Sequence, residues 1–330
     1  MKAAFITRTG APDVIQFGDL PNPKPGRGEC LVKVGAVAVN PIDTYVRSGA
    51  IPIKDPFPLI LGRDVAGTIV ETGPGVKHFK VGDRVWASNQ GTDGRAGTFA
   101  EFASVHERWL NPTPANAKDE DMAALALVAI TAHLGLVHHA RLHAHETLFV
   151  NGGSGGVGSS VVQMAKILGA KVITTAGNDE KAHICRELGA DLVINYNFGD
   201  ITEAIRAAAD KGVDVWWETL REPDFERTIS LLAMRGRMIV MAGREARPVF
   251  PVGPFYVKDC SIHGFAMFNA TPREQRTAGN AINRWVSEGK LKARIDRVLP
   301  LSESATAHRL QHESTVNRTS ELTGKLVLKP

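Results

Sequence analysis

The chain has 330 residues, enough for two domains of about 150 residues each, which excludes a single small module. Hydrophobic residues make up 43% and charged residues 22%, so the chain is globular rather than disordered or collagenous. The 39 Lys and Arg exceed the 35 Asp and Glu by only four, too small an excess to predict a nucleic-acid partner.

The cysteines and the amino terminus bear on the cellular compartment. Cys30, Cys185 and Cys260 are far apart and form no C-x-x-C pair, so neither a disulfide framework nor a cysteine-rich zinc knuckle is expected. The apolar run Ala3 to Ile6 is too short for a signal peptide. We therefore expect a cytoplasmic protein with no membrane association.

The first 120 residues are rich in Gly and Pro and contain short β-branched runs, which predict an antiparallel, barrel-like β domain. The runs are Cys30 to Val39, Ala66 to Glu71 and Asp83 to Ala87. The apolar stretch that follows, Met122 to Val137, is shorter than the ~20 residues of a membrane span and is interpreted as a buried core helix.

From residue 122, helical segments alternate with short apolar strands, which predicts a doubly wound parallel sheet. The expected strands are Thr147 to Val150, Lys171 to Thr175, Leu192 to Asn195, Val213 to Trp217, Arg237 to Met241 and Ser261 to Phe265. An amphipathic helix, Thr271 to Glu288, and a strand, Lys325 to Leu328, then complete the first domain. The predicted division is 1–121 and 268–330 for the β domain and 122–267 for the α/β domain.

The glycine string Gly153-Ser154-Gly155-Gly156-Val157-Gly158 has the spacing G-x-G-x-x-G. It directly follows an expected strand and precedes a helical segment, Ser159 to Leu168, which is the context of a dinucleotide-binding loop. Glycines let the backbone approach a pyrophosphate, and the helix N-terminus supplies N–H groups and a positive dipole end. The alternative is a structural turn without a ligand.

The end of the next strand bears on which dinucleotide binds. Thr174-Thr175-Ala176-Gly177 carries no carboxylate that would bind a ribose hydroxyl and repel a 2′-phosphate, and Lys181 follows as a possible phosphate partner. This pattern favours NADPH over NADH. Lys181 could instead be a solvated charge at a helix start.

Five motifs in this order resemble the medium-chain dehydrogenase/reductase superfamily, and within it the zinc-independent NADPH:quinone oxidoreductases that include the zeta-crystallins. They are the segment Asn40 to Gly49 (NPIDTYVRSG), Gly62 to Gly67 (GRDVAG), Gly82 to Val85 (GDRV), the glycine loop and Thr323 to Lys325 (TGK). The resemblance covers the whole chain. It implies a Rossmann domain plus a GroES-like β-barrel catalytic domain, with the cofactor between them, and a homo-oligomer, either a homodimer or a tetramer.

The same resemblance bears on zinc. Zinc-dependent relatives have their catalytic ligands where this chain has Asn40, Arg63 with Asp64, and Leu127, and their structural-zinc lobe needs four clustered cysteines that Ala87 to Ala103 lacks. We expect no metal. The histidines from His133 to His145 crowd one segment, but without a clustered carboxylate or cysteine they are interpreted as a polar helix end and loop.

The resemblance also implies cofactor contacts, which we carry over residue by residue. The expected residues are Thr131, Ser154, Gly155, Gly156, Val157, Gly177, Lys181, Tyr196, Ala242, Gly243, Arg244, Phe265, Ala266, Met267 and Lys325. Core packing is the alternative for the side chains of Phe265 and Met267.

On the substrate side, Asn40, Asp43 and Tyr45 are the expected catalytic residues, with turn chemistry or core packing as the alternatives. Asp43, Tyr45, His133 or solvent would supply the proton. Ile51 and His133 stand where the family often has tyrosines, and both departures fall on the expected substrate side.

Without a Lewis-acid metal, the expected substrate is already a good hydride acceptor, a quinone or an activated α,β-unsaturated carbonyl compound. Two alternatives remain open: an enoyl-CoA or enoyl-thioester reductase, and a zeta-crystallin-like RNA-binding or structural protein. The absence of a basic block with interleaved aromatic residues argues against RNA.

Overall fold

The structure is a computed structural model that describes residues 1–317, 319 and 322–330. The chain divides into two compact units: Met1–Ile130 with Thr271–Pro330, and Thr131–Ala270. The sequence placed the first boundary at residue 122. In the structure that boundary falls later, within a helix, because the helix that opens the alternating region contributes residues to both units.

The strands are numbered in chain order. They are β1 Lys2–Ile6, β2 Gln16–Asp19, β3 Glu29–Ala38, β4 Leu59–Ile60, β5 Val65–Thr72, β6 Arg84–Ala87, β7 Phe102–His106, β8 Asn111–Pro112, β9 Thr147–Val150, β10 Lys171–Ala176, β11 Leu192–Asn195, β12 Val213–Glu218, β13 Leu232–Val240, β14 Ser261–Gly264, β15 Ile295–Pro300 and β16 Lys325–Lys329.

The α-helices are α1 Pro41–Ser48, α2 Asp119–His133, α3 Gly156–Ile167, α4 Asp179–Glu187, α5 Ile201–Ala208, α6 Phe225–Leu231, α7 Val252–Val257, α8 Pro272–Ser287 and α9 Ser304–Thr315. Short 3₁₀ turns occur at Pro12–Val14, Glu107–Trp109, Met267–Asn269 and Leu301–Glu303, and a π-helical segment occurs at Leu134–His139.

The first unit contains two sheets, one of three strands in the order β2-β1-β4 and one in the order β15-β16-β3-β5-β6-β8 with β7 paired to β3. Pairing is antiparallel as the sequence predicted, except between β15 and β16, which are parallel. The inward side chains of these strands form a single apolar core that includes residues of α9. The carboxyl-terminal segment therefore completes the β unit.

The second unit is a six-stranded parallel sheet in the order β11-β10-β9-β12-β13-β14. This order confirms the predicted doubly wound fold, since the direction of winding reverses between β9 and β12. β9 and β11 have the predicted bounds. β13 begins five residues before the predicted Arg237, because the left-handed Arg235 (φ 60°) and Gly236 interrupt its apolar pattern.

The helix expected at Met122 to Val137 begins at Asp119 and continues through the π-helical segment to His139, a total of 21 residues. By length and composition alone it could cross a membrane, so the prediction that it is too short was wrong. However, 78% of its apolar window is buried inside the protein, as in the core helix of a globular domain. Within it, a Cβ on Gly135 would lie 2.1 Å from the Trp217 ring, so only glycine fits there.

Candidate active site

The glycine loop links the end of β9 to the start of α3. Thr174 Oγ1 donates to the Val150 carbonyl (2.7 Å), and the N–H of Gly152 donates to Thr175 Oγ1 (2.9 Å), so β10 fixes the turn. A Cβ on Gly158 would lie 2.2 Å from the Gly152 carbonyl oxygen, and one on Gly153 would lie 2.4 Å from Thr174 Oγ1. Glycine is required at position 158 because the backbone passes this close, and at position 153 because the Thr174 side chain, which is hydrogen-bonded to Val150, fills the space.

α3 begins at Gly156, preceded by Gly155 in an extended conformation with no side-chain cap. The first N–H groups of a helix have no carbonyl partner within the helix, and its dipole places partial positive charge there. Ser154 is buried beside this turn. The predicted loop residues Ser154, Gly155, Gly156 and Val157 thus lie at a helix N-terminus suited to a pyrophosphate.

Two polar side chains lie where the winding of the parallel sheet reverses. Asn151 follows β9, and Glu218 ends β12, the neighbouring strand. Glu218 is buried and accepts hydrogen bonds from Asn151 Nδ2 (2.9 Å) and from the N–H of Leu220 (2.7 Å). Burial raises the pKa of Glu218. Open α/β sheets bind ligands at this switch point, outside the carboxyl ends of the strands.

Residues expected near the adenosine follow β10 and β11. A Cβ on Gly177 would lie 2.3 Å from the Tyr196 hydroxyl, and Asn197 Nδ2 donates to the Gly177 carbonyl (2.6 Å). Lys181 is half-buried in the first turn of α4, where its N–H donates to the cap residue Asn178 (2.8 Å). The structure brings Gly177 and Tyr196 into contact.

The segments expected near the nicotinamide follow β13 and β14, which are adjacent. Gly243 has φ 78°, and a Cβ there would lie 2.6 Å from the Arg221 carbonyl oxygen. Ala242 is half-buried and Arg244 is exposed. After β14, Ala266 is half-buried, Met267 is buried, and the Phe265 ring stacks on His139 with centroids 4.6 Å apart. Thr131 is buried near the end of α2.

The predicted catalytic residues of the first unit belong to a buried polar cluster. Asn40 Nδ2 donates to Asp64 Oδ2 (2.7 Å), Ser88 Oγ donates to Asp64 Oδ1 (2.6 Å), and the Lys325 ammonium donates to Asn40 Oδ1 (2.5 Å) and to the Val39 carbonyl (2.6 Å). These hydrogen bonds link residues that directly follow β3 and β6, the residue that precedes β5, and the first residue of β16.

Asp43 adjoins this cluster at the start of α1. Its carboxylate accepts from the N–H of Asn40 (2.8 Å) as part of a capping box, and its Oδ1 lies 3.7 Å from Arg63 Nε. Burial raises the pKa of Asp43 to about 6, against the opposing effect of Arg63. Burial likewise raises the pKa of Asp64 and lowers that of Lys325. Tyr45, also on α1, is half-buried.

Lys325 was expected near the cofactor phosphates. In the structure its ammonium is buried in the first unit and donates to Asn40 and Val39, whereas the other predicted cofactor residues belong to the second unit. His133, a candidate proton donor, is buried at the end of α2. A phosphate role for Lys325 stays a prediction.

Two members of the cluster, Asn40 and Asp64, stand where the family resemblance leads us to expect zinc ligands in metal-dependent proteins. An amide, a carboxylate that accepts from Asn40 and Ser88, and an ammonium do not form the donor set that zinc requires. Across residues 1–317, 319 and 322–330, no three His, Cys, Asp or Glu side chains are grouped so that they could hold a metal ion. The donor atoms of this cluster therefore do not match a zinc site, and independence from zinc stays a prediction.

Four residues of the candidate site were not among the site residues predicted from the sequence: Asp64, Ser88, Asn151 and Glu218. Asp64 lies inside the GRDVAG motif, and Glu218 is a carboxylate at the end of an apolar strand. Both could therefore have been proposed as site residues from the sequence. Ser88 and Asn151 could not have been proposed in this way, because each is placed in the site by a hydrogen bond to a residue 24 or 67 positions away in the chain, respectively.

A β unit with a buried polar cluster, together with a doubly wound sheet that carries a glycine loop, defines a two-domain dehydrogenase. The chain matches two family descriptions, "Alcohol dehydrogenase GroES-like domain" over residues 26–115 and "Zinc-binding dehydrogenase" over residues 156–284. It is 34% identical to the quinone oxidoreductase of Rattus norvegicus, over 99% of this chain and 97% of the relative. It is 31% identical to an NADPH-dependent alkenal/one oxidoreductase of Arabidopsis thaliana, over 100% of this chain and 80% of the relative.

Solved oxidoreductase structures also superimpose on this chain over its full length. The quinone oxidoreductase of Escherichia coli, complexed with NADPH, superimposes with a TM-score of 0.87 at 27% identity, over all of both chains. An NAD-dependent alcohol dehydrogenase superimposes with a TM-score of 0.89 at 31% identity, also over all of both chains. The chain belongs to the quinone oxidoreductase branch of the medium-chain dehydrogenase/reductase superfamily, and is an oxidoreductase.

Proposed function

We propose that this protein is a zinc-independent, NADPH-dependent oxidoreductase that reduces a quinone or an activated α,β-unsaturated carbonyl compound. The observation that carries the proposal is the buried cluster of Asn40, Asp64 and Lys325, in which an amide and an ammonium group lie beside the Asp64 carboxylate. Because an ammonium and an amide cannot act as a Lewis acid, the substrate must already accept hydride readily. The relatives named for quinones and for alkenals support both substrate classes.

NADPH supplies the hydride when bound. Ser154 to Val157 would hold its pyrophosphate through backbone N–H groups, which the close glycine contacts support. Gly177, Lys181 and Tyr196 would hold the adenosine and its 2′-phosphate, because no carboxylate ends β10. Thr131, the loop Ala242 to Arg244 and the segment Phe265 to Met267 would hold the nicotinamide ribose and ring. The E. coli relative complexed with NADPH supports the same cofactor here.

The protein's own contribution is to position the substrate and to supply a proton. With its pKa raised to about 6, Asp43 can hold a proton on its carboxyl group close to neutral pH. Tyr45, His133 and solvent are the other proton sources. Asn40 is held by Asp64 and Lys325 and would orient the substrate carbonyl.

The reaction is tested by following NADPH absorbance with a naphthoquinone, a vinyl ketone and crotonyl-CoA in parallel, with and without a chelator. We expect turnover of the first two substrates, unchanged by chelation. Loss of activity on chelation would contradict the zinc-free site, and turnover of the CoA ester alone would favour an enoyl reductase.

The role of Asp43 is tested by the pH dependence of kcat. If Asp43 donates the proton, only its protonated form is active, so kcat falls as pH rises through about 6. Asp43→Asn should lower kcat below pH 6 and remove this dependence. An unchanged profile in Asp43→Asn would assign the proton to another donor.

We also propose a cytoplasmic homo-oligomer, a dimer or tetramer. Exposed apolar side chains on α7, Val252, Tyr256 and Val257, support self-association, since such clusters mark interaction surfaces. Light scattering in solution tests the assembly, and a monomeric mass would contradict it.

A further inference from the structure

A cavity of about 640 Å³ in the second unit is separate from the glycine loop and is lined largely by cationic and imidazole side chains. Its histidines are His138, His139, His143 and His263, and its arginines are Arg141, Arg235 and Arg237. None of the side chains lining it, in the part of the chain that the structure describes, is a carboxylate. We call it the histidine–arginine pocket.

The imidazole rings of this pocket are held by packing. His139 meets His138 edge-on with ring centroids 4.8 Å apart, lies 6.2 Å from His263, and stacks on Phe265. Ser261 Oγ lies 3.3 Å from His263 Nε2. These contacts restrict the orientations of the His139 and His263 rings.

The positive charge of the pocket is only partly compensated. Glu146 binds Arg237 with two hydrogen bonds (2.8 and 2.6 Å), and Asp259 lies 4.0 Å from Arg235 at an exposed position. Arg141 forms no side-chain hydrogen bond or ion pair with any residue in the described ranges. Arg141 and Arg237 line the same cavity as His263, and burial together with their charges lowers the pKa of His263.

The backbone gives a second, independent indication. Arg141 (φ 50°) and Arg235 (φ 60°) both adopt the left-handed conformation, in which glycine has no steric cost and arginine does. Both side chains line the same cavity. Residues held in such conformations cluster at ligand sites, where a specific side chain is needed despite its backbone cost.

We propose that the histidine–arginine pocket binds a small phosphate-type anion, either the free ion or a phosphate monoester. Guanidinium groups match phosphate oxygens with pairs of N–H donors, and Arg141 is available for this contact. The imidazoles of His139 and His263 add donors at the pocket wall. A metal is disfavoured here because the arginines surround the imidazoles with positive charge, and no metal-binding group is found among the described residues.

The site is tested on the full chain by an NMR titration of the histidine Cε1–H resonances at pH 7. The probes are inorganic phosphate and glycerol phosphate, each with and without saturating NADPH. We expect saturable shifts of the His139 and His263 resonances that persist with NADPH bound, and the stronger of the two probes distinguishes free ion from ester. No shift, or complete loss of the shifts on adding NADPH, would overturn the proposal.

The matched variants are Arg141→Gly and Arg206→Gln. Glycine suits the left-handed backbone at position 141, so this variant removes the guanidinium without strain. Arg206 is exposed on α5, outside the pocket lining, and controls for the loss of one charge. We expect Kd for the bound probe to rise about tenfold in Arg141→Gly, with NADPH oxidation unchanged, and to stay constant in Arg206→Gln. Equal affinity in both variants would exclude Arg141 as a ligand.

Discussion

His308 is the buried histidine of the first unit, and neither of its ring nitrogens has a hydrogen-bond partner among the described residues. Burial and the charge of Arg47 lower its pKa to about 3, from an unfolded value near 6.5. The unfolded chain therefore binds a proton that the folded chain excludes. Above about pH 6.5 the ring is neutral in both states and does not change the free energy of unfolding. Below that pH only the unfolded chain is protonated, so the free energy of unfolding falls progressively as pH approaches 3.

The loss amounts to about 2 kcal/mol between pH 6.5 and 5. His308→Leu removes the titrating group, so its free energy of unfolding should fall less over this interval. Urea unfolding at pH 7 and pH 5 measures the difference, with the exposed His183→Leu as the control. The same pH dependence in His308→Leu and in the wild type would contradict this account.

Lys181 is the residue on which cofactor choice is predicted to depend. A lysine beside the 2′-phosphate makes a charge-assisted contact that NADH cannot make. Lys181→Ala should therefore raise Kd for NADPH about tenfold and leave Kd for NADH within about twofold, measured by quenching of tryptophan fluorescence. Arg186→Ala, an exposed change on the same helix, is the control. Equal losses for both nucleotides would mean that Lys181 does not contact the phosphate.

The turn from β9 to α3 requires the backbone at Gly158 to pass close to the carbonyl oxygen of Gly152. Gly158→Ala would place a Cβ 2.2 Å from the Gly152 carbonyl oxygen, so the helix start must move away from the loop. We expect NADPH binding to weaken more than about tenfold and stability to fall by about 1–3 kcal/mol. Gly253→Ala, with no atom within 4 Å of its added Cβ, is the control for both the titration and thermal unfolding. Unchanged NADPH affinity in Gly158→Ala would remove this loop from the cofactor site.

At the scale of the whole molecule, the Lys325–Asn40 contact joins residues 285 positions apart and closes the first unit with the last strand. Lys325→Met would leave the Asp64 carboxylate buried without a nearby cation, at a cost of about 3–5 kcal/mol. Adding Asp64→Asn should recover part of this loss, because the uncompensated charge is then removed.

Denaturant unfolding of the single and double variants measures this coupling. Lys329→Met, which breaks a partly exposed pair with Glu120, should cost less than about 1 kcal/mol and is the control. A double variant no more stable than Lys325→Met would show that the lysine acts through packing alone.

The order of the elements and the position of the glycine loop could be predicted from the amino-acid sequence. These depend on local conformation and residue chemistry, so β9 and β11 were predicted with their observed bounds. The predicted β13 is too short, because the left-handed Arg235 interrupts the alternation of side chains by which a strand is recognised in a sequence.

Which side chains come into contact could not be predicted from the sequence and became known from the folded chain. Asn40, Asp64, Ser88 and Lys325 share one cluster, and His139 meets His263, because strand pairing brings distant segments together. Local patterns depend on the conformation of each segment and carry no information about a partner that is tens or hundreds of residues away in the chain. The buried pKa shifts follow from these contacts, so they too required the folded chain.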